Sequence, residues 1–142
     1  MKLWQHQPTL DFPLGVGERF AGMTGATADS EQAIYSAPYP VVVQGVTASF
    51  DAAVTGANTN YSSIVVNLWR GGVKQGAVAT FAFTSGNNAA QFGKLDLGTI
   101  AVAYRSLKAG DVLTLALVHA GTGIQLPAGV VNVDLRTPRS GE

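Results

Sequence analysis

The chain has 142 residues, of which 46% are hydrophobic and 13% charged, and its nine basic and nine acidic residues give zero net charge. A neutral chain has no long-range attraction for nucleic acid or an anionic membrane surface, so we expect neither as a partner. The absence of cysteine excludes disulfides and cysteine-based metal sites. The charged fraction lies well below the roughly 25% of typical soluble domains. Such a surface is typical of a chain partly covered by partners, or of a small apolar domain rich in Ser, Thr and Asn.

The length fits one domain with an appended arm. No apolar run approaches the roughly 18 residues that span a membrane. The first residues also lack the apolar core of a secretory signal. We therefore expect neither a membrane anchor nor export through an N-terminal signal.

Residues 1–40 are interrupted by proline and glycine too often for regular elements. One short helical turn is predicted over 30–35, with Asp29 as its N-cap and Gln32 completing a capping box. We interpret the segment as an extended arm that docks on partner chains, whereas composition alone also fits a disordered tail. The proposed partner-contact residues of the arm are Trp4, Leu10, Phe12 and Phe20.

Strand signals begin at Val41. Apolar and polar residues alternate with a period of two, the pattern of a half-buried strand. Gly71 and Gly72 predict a hairpin connection. The predicted strands cover 41–43, 47–54, 62–70, 77–84, 112–118 and 131–135. Over 95–104 the sequence predicts either two short strands, at 95–97 and 100–104, or one strand with a bulge around Gly98.

The stretch 110–135 organises the rest of the chain. Its first run is apolar on both faces, which predicts either a central position in a sheet or a face covered by another chain. Its second run alternates and predicts a half-buried strand. We expect a closed homotrimer to bury any apolar face left over. The residues assigned to that subunit interface are Leu113, Leu115 and Leu117.

Seven or eight short strands, separated by turn signals every eight to twelve residues, predict an all-β fold. We expect an antiparallel β-sandwich, jelly-roll-like, over residues 41–142. The irregular N-terminal arm precedes it over residues 1–40.

No catalytic constellation is visible in the sequence. His6 and His119 have no further ligand at zinc spacing, and no serine lies in a nucleophile elbow. We therefore predict no enzyme, no metal and no cofactor. Trp4, Tyr61 and Trp69 remain candidates for a sugar-stacking platform, but the cations near Trp69 are too few for nucleic-acid binding.

Four phrases of the sequence resemble the capsid decoration proteins of tailed bacteriophages, which are also called cement or auxiliary head proteins. The phrases are 54–60 (VTGANTN), 83–89 (FTSGNNA), 109–113 (AGDVL) and 121–124 (GTGI). The similarity covers roughly residues 45–135. It rests on turn and strand phrases and on no catalytic motif.

This resemblance implies a sandwich or jelly-roll subunit, commonly trimeric, on the outer surface of the virion. There it would clamp neighbouring major capsid subunits, its expected partners, against the pressure of the packaged genome. The alternative, from another functional class, is a carbohydrate-binding β-sandwich of a virion with a tail-tip or adhesion role.

Overall fold

The computed structural model describes residues 14–24 and 29–142. These residues form nine β-strands and no helix. The strands are β1 (Leu14–Phe20), β2 (Ser30–Ser36), β3 (Val41–Phe50), β4 (Ser62–Arg70), β5 (Val73–Ala82), β6 (Leu95–Asp96), β7 (Ser106–Leu107), β8 (Val112–His119) and β9 (Gly129–Arg136).

The strands form two antiparallel sheets. The first has the order β1-β9-β3-β6 with β7 also on β3, and the second has the order β2-β8-β4-β5. Because β6 and β7 pair with opposite ends of β3, they act as one interrupted strand. Counted in this way, the eight strands follow the connectivity of a jelly roll. The predicted all-β, jelly-roll-like sandwich is confirmed.

Local sequence explains several elements of this sandwich. The β4–β5 hairpin closes through Gly71 and Gly72, whose φ angles of 60° and 79° are those of a type I′ turn that glycine adopts without strain. β8 pairs with β2 on one side and β4 on the other, which is the central position predicted from its two apolar faces.

The core lies between the two sheets. Phe20, Phe50 and Phe83 form a buried row in which neighbouring rings meet edge to face, at centroid distances of 5.6 Å and 5.7 Å. Aromatic pairs in this geometry add about 0.5–1.5 kcal/mol to their burial. The row joins β1, β3 and the residue after β5, so the N-terminal strand is part of the core.

The expected division between an arm at 1–40 and a sandwich at 41–142 does not match the strands. β1 pairs along its whole length with β9, and β2 pairs with β8, so each sheet takes one of its edge strands from residues 14–36. The helical turn predicted over 30–35 is wrong, since these residues lie in β2. Asp29 caps no helix there and instead accepts a 3.0 Å hydrogen bond from the His119 backbone N–H. Pairing with β8 overrides the local capping pattern.

The short strand predicted over 100–104 is also wrong. This segment turns and crosses from the first sheet to the second, where Ala101 N donates to the Val78 carbonyl at 2.9 Å. Tyr104 packs on Gly76, where a Cβ atom would lie 2.4 Å from the phenol ring. The crossing segment therefore covers part of the outer edge of β5.

Candidate functional site

The structure places the predicted site residues away from any exposed surface or outside the described part of the chain. Trp4, Leu10 and Phe12 lie outside the described residues. Phe20 is only 2% exposed and belongs to the core of its own domain, so it is not available as a partner contact.

The subunit interface assigned to β8 needs a similar correction. Leu113, Leu115 and Leu117 point between the two sheets and are buried there. The two apolar faces of this strand predicted either a central position or a face covered by another chain, and period-two alternation does not distinguish which of the two faces points inward.

The two ends of the sandwich differ in the size of their loops. At one end, the connections are the Gly71-Gly72 turn and the short segments 37–40 and 108–111. At the other end, the described connections include 51–61, 83–94 and 120–128. We call this second end the long-loop end. Long loops on a rigid sheet scaffold are where binding residues most often lie.

Two phrases of the family resemblance interlock at the long-loop end. Val54 and Ala89 exchange backbone hydrogen bonds of 2.8 Å and 2.9 Å, and Gly56 N donates to Asn88 Oδ1 at 2.8 Å. A Cβ atom at Gly56 would lie 1.9 Å from the Thr84 carbonyl oxygen, so only glycine fits there.

A third phrase joins the same cluster. Thr122 N donates to Asn60 Oδ1 at 3.1 Å, and Gly121 has a φ of 64° against that side chain. Residues 54–60, 83–89 and 121–124, distant in sequence, therefore form one connected loop cluster. The fourth phrase, 109–113, lies at the opposite end of the sandwich.

Phe92 is the most unusual residue of the long-loop end. Its side chain is 71% exposed, and its φ of 57° lies in the left-handed region. Its backbone N–H donates to the Phe50 carbonyl at 2.9 Å, and the neighbouring Gln91 side chain donates to the Asp51 carbonyl at 2.9 Å. The loop is thus held in place from both sides. No sequence pattern indicates a positive φ at a phenylalanine, so this residue was missed.

An exposed ion pair lies beside this loop. Arg19 at the end of β1 binds Asp51 through both carboxylate oxygens, with Nη1 3.2 Å from Oδ1. The hydrogen bond from Arg19 holds the pKa of Asp51 below its ordinary value. Because both side chains are exposed, the pair contributes little to stability.

A second candidate surface is a cleft of about 340 Å³ on the outer face of the β2-β8-β4-β5 sheet. Its floor is aliphatic and its walls carry charged and polar groups. The lining residues are Asp29, Ser30, Glu31, Val65, Asn67, Lys74, Ala116 and Val118.

Glu31 organises the polar side of the cleft. Its Oε2 accepts hydrogen bonds from Trp69 Nε1 at 2.8 Å, Asn67 Nδ2 at 3.1 Å and Thr114 Oγ1 at 2.5 Å. Burial alone would raise the pKa of Glu31, but these three hydrogen bonds outweigh it and lower the pKa. Lys74 Nζ lies 4.0 Å from Oε1 and 5.8 Å from the centre of the Trp69 ring. This hydrogen-bond network does not follow from the sequence, because the pattern over residues 30–35 predicts a helical turn and not the strand that brings Glu31 beside Asn67, Trp69 and Thr114.

Two further ion pairs are structural. Asp111 is 2% exposed and binds Arg70 through two hydrogen bonds, at the end of the sandwich that carries the Gly71-Gly72 turn. Near the end of the chain, Glu142 accepts hydrogen bonds of 2.5 Å from both terminal nitrogens of the largely buried Arg136. Those hydrogen bonds lower the pKa of Glu142 to about 2.

Within residues 14–24 and 29–142, no group of three or more histidine and carboxylate side chains could hold a metal ion. The same residues contain no helix long and apolar enough to cross a membrane.

The comparisons with known proteins include a weak structural likeness. No family model matches the chain, and no curated protein matches it in sequence. Among solved structures, the chain is similar to one described as the structure of infectious bursal disease virus Gx strain, at 12% identity and a TM-score of 0.37. That match covers 92% of this chain and 38% of the viral chain.

Proposed function

We propose that this protein is a structural protein that binds the outer surface of a viral capsid and stabilises it by clamping neighbouring major capsid subunits. The observation that carries the proposal is the contact between three of the four decoration-protein phrases in one loop cluster. These phrases are distant in sequence but interlock through defined hydrogen bonds, so the residues that carry the resemblance lie together in the fold.

The jelly-roll strand order is consistent with a viral role but does not by itself establish that role. Jelly rolls are common in viral capsid domains and in lectin domains, and a fold alone does not determine function. The protein acts by binding and not by catalysis. Trp4, Leu10 and Phe12 remain the proposed clamp residues of the N-terminal segment. Homotrimers are proposed to form through surfaces other than the buried leucines of β8.

The direct test uses empty shells assembled from the major capsid protein of the same virus. Purified protein is expected to sediment with expanded shells and to raise their melting temperature, because a clamp that binds only the intact shell stabilises it by mass action. Shells of an unrelated phage serve as the control, and the protein is not expected to sediment with them. Failure to sediment with expanded shells at micromolar concentration would contradict the proposal.

The cleft around Glu31 favours a second candidate function, carbohydrate binding. Val65, Ala116 and Val118 offer an apolar floor for the C–H face of a pyranose, while Glu31 and Asn67 stand beside it as partners for hydroxyl groups. A few polar groups around an apolar floor are typical of small-molecule sites.

For this candidate, glycan-array screening followed by calorimetry is expected to find a glycan whose binding is lost in Lys74→Ala. Lys74 lines the cleft, whereas the exposed Lys94 does not, so Lys94→Ala should bind normally. Equal binding by the two variants, or binding to no glycan, would exclude this use of the cleft.

A further inference from the structure

Glu31 and Lys74 both line the cleft, and their charged groups leave a gap between them. Lys74 Nζ lies 4.0 Å from Glu31 Oε1, which is too far for a direct hydrogen bond. One oxygen atom at about 2.8 Å from each of the two groups fits this gap. Such an oxygen has to accept a hydrogen bond from the ammonium group and donate one to the carboxylate. A hydroxyl group does both with a single atom.

Asn67 adds a second open acceptor to the same cleft. Its side chain lines the cleft and is only 4% exposed. Its Nδ2 donates to Glu31 Oε2 at 3.1 Å, whereas no described residue donates a hydrogen bond to its Oδ1. A polar atom of a largely buried side chain needs a partner from water or from a ligand. The 3.1 Å hydrogen bond also keeps Asn67 Oδ1 and Glu31 Oε1 close enough to bind neighbouring hydroxyl groups of one ring.

The acceptors are held in position before a ligand arrives. Glu31 Oε2 accepts hydrogen bonds from three donors, which belong to Asn67, Trp69 and Thr114. A preorganised group loses little side-chain entropy on binding. The indole N–H of Trp69 is used by Glu31, and Lys74 Nζ lies over the Trp69 ring at 5.8 Å from its centre. Trp69 therefore positions Glu31 and Lys74, and the surface left for a sugar ring is the aliphatic floor.

The charges around the cleft disfavour ionic ligands of either sign. Asp29 and Glu31 both line it, so a carboxylate or sulfate group of a ligand would meet like charge. Lys74 lies beside the same acceptors and would repel an ammonium or guanidinium group. The floor is apolar and consists of Val65, Ala116 and Val118. An uncharged ring that carries several hydroxyl groups meets all of these conditions.

We propose that the cleft binds a neutral sugar through two neighbouring hydroxyl groups. The first hydroxyl lies between Lys74 Nζ and Glu31 Oε1, accepting a hydrogen bond from the former and donating one to the latter. The second hydroxyl donates to Asn67 Oδ1, and the C–H face of the ring packs on the aliphatic floor. This inference rests on the second candidate function, carbohydrate binding, and adds the class of glycan and the role of each polar group.

The first test compares classes of glycan. An array that carries neutral, sialylated, sulfated and amino-sugar glycans is expected to show binding to neutral glycans only. Calorimetry with the best neutral glycan should give the same dissociation constant at low and high salt, because salt screens only interactions between charges. The indole N–H resonance of Trp69 should shift as the glycan is added, since this group is bonded to Glu31.

The second test separates the donor role of Lys74 from its charge. Lys74→Met keeps the stem without a donor and should weaken binding of the neutral glycan at least about tenfold, the loss expected for a hydrogen bond to a charged group. Lys74→Gln is the matched variant, because it keeps a neutral N–H donor, and it should bind within about threefold of the wild type. The Lys74 side chain is 49% exposed, so neither variant should melt below the wild type.

The outcomes separate this inference from carbohydrate binding as such. If anionic or cationic glycans bind and high salt weakens them, the cleft still binds carbohydrate but the neutral class is wrong. If a neutral glycan binds and Lys74→Met binds it as tightly as the wild type, the proposed hydroxyl contact is overturned. If no glycan binds, carbohydrate binding and this inference fail together, and capsid binding is unaffected.

Discussion

Replacing Asp111 with alanine is expected to lower the free energy of unfolding by about 2–4 kcal/mol. The carboxylate is 2% exposed and accepts hydrogen bonds from Arg70 Nε at 2.9 Å, Arg70 Nη2 at 2.7 Å and Lys108 N at 2.8 Å. Breaking a buried ion pair by removing one partner costs about 3–5 kcal/mol. The Arg70 side chain is 36% exposed, so water partly compensates the cation left behind and the expected loss is smaller.

The same ion pair should make stability depend on acid. The hydrogen bond from Arg70, aided by that from Lys108 N, lowers the pKa of Asp111 below its ordinary 3.8. A carboxyl with a lower pKa in the folded state contributes stability that is fully present above 3.8 and is lost as the pH falls below that value. The difference in stability between wild type and Asp111→Asn should therefore shrink on acidification through this range.

Urea unfolding of the free protein at several pH values measures both effects. Asp134→Ala is the matched control, because Asp134 is an exposed carboxylate on β9. Surface substitutions of this kind change stability by about 0.5 kcal/mol or less. An Asp111→Ala midpoint indistinguishable from that of Asp134→Ala would show that the ion pair does not stabilise the fold.

The parts of the fold predicted correctly are those encoded by local pattern. Apolar and polar residues alternate in β4 and β9 because one face of each strand is buried. The turn at Gly71 and Gly72 is predictable because it needs positive φ angles, which glycine adopts without strain. The central position of β8 was one of the two alternatives predicted from its two apolar faces. Each of these inferences needed only a few neighbouring residues.

The parts that failed depend on pairing between residues distant in sequence. β1 contains Gly15 and Gly17, which weaken any local strand signal, and it is a strand because β9 supplies its hydrogen bonds. The same holds for the candidate site. Phe92 is distinguished by a backbone angle and by its exposure, and neither follows from its type or its neighbours in the sequence.

Deleting residues 1–40 is expected to leave a chain that does not fold. The deletion removes β1 and β2, and with them the buried side chains of Phe20, Met23 and Ile34. Truncating three such core side chains costs about 7–15 kcal/mol in total. The whole stability of a domain is only about 5–15 kcal/mol. The deletion also leaves β8 and β9 as new sheet edges with unpaired backbone groups.

A chain that begins at Leu14 is the matched control, because it retains every described strand. We expect it to give a cooperative melting transition by circular dichroism, whereas the chain that begins at Val41 gives none. If Trp4, Leu10 and Phe12 form the proposed clamp, the chain that begins at Leu14 should also bind expanded shells more weakly than the full chain does. A cooperative, wild-type-like transition from residues 41–142 alone would show that β1 and β2 dock on a domain that is stable without them. In that case residues 41–142 would be stable by themselves, and the predicted boundary at residue 40 would mark the edge of the stable unit, although β1 and β2 lie within the sheets.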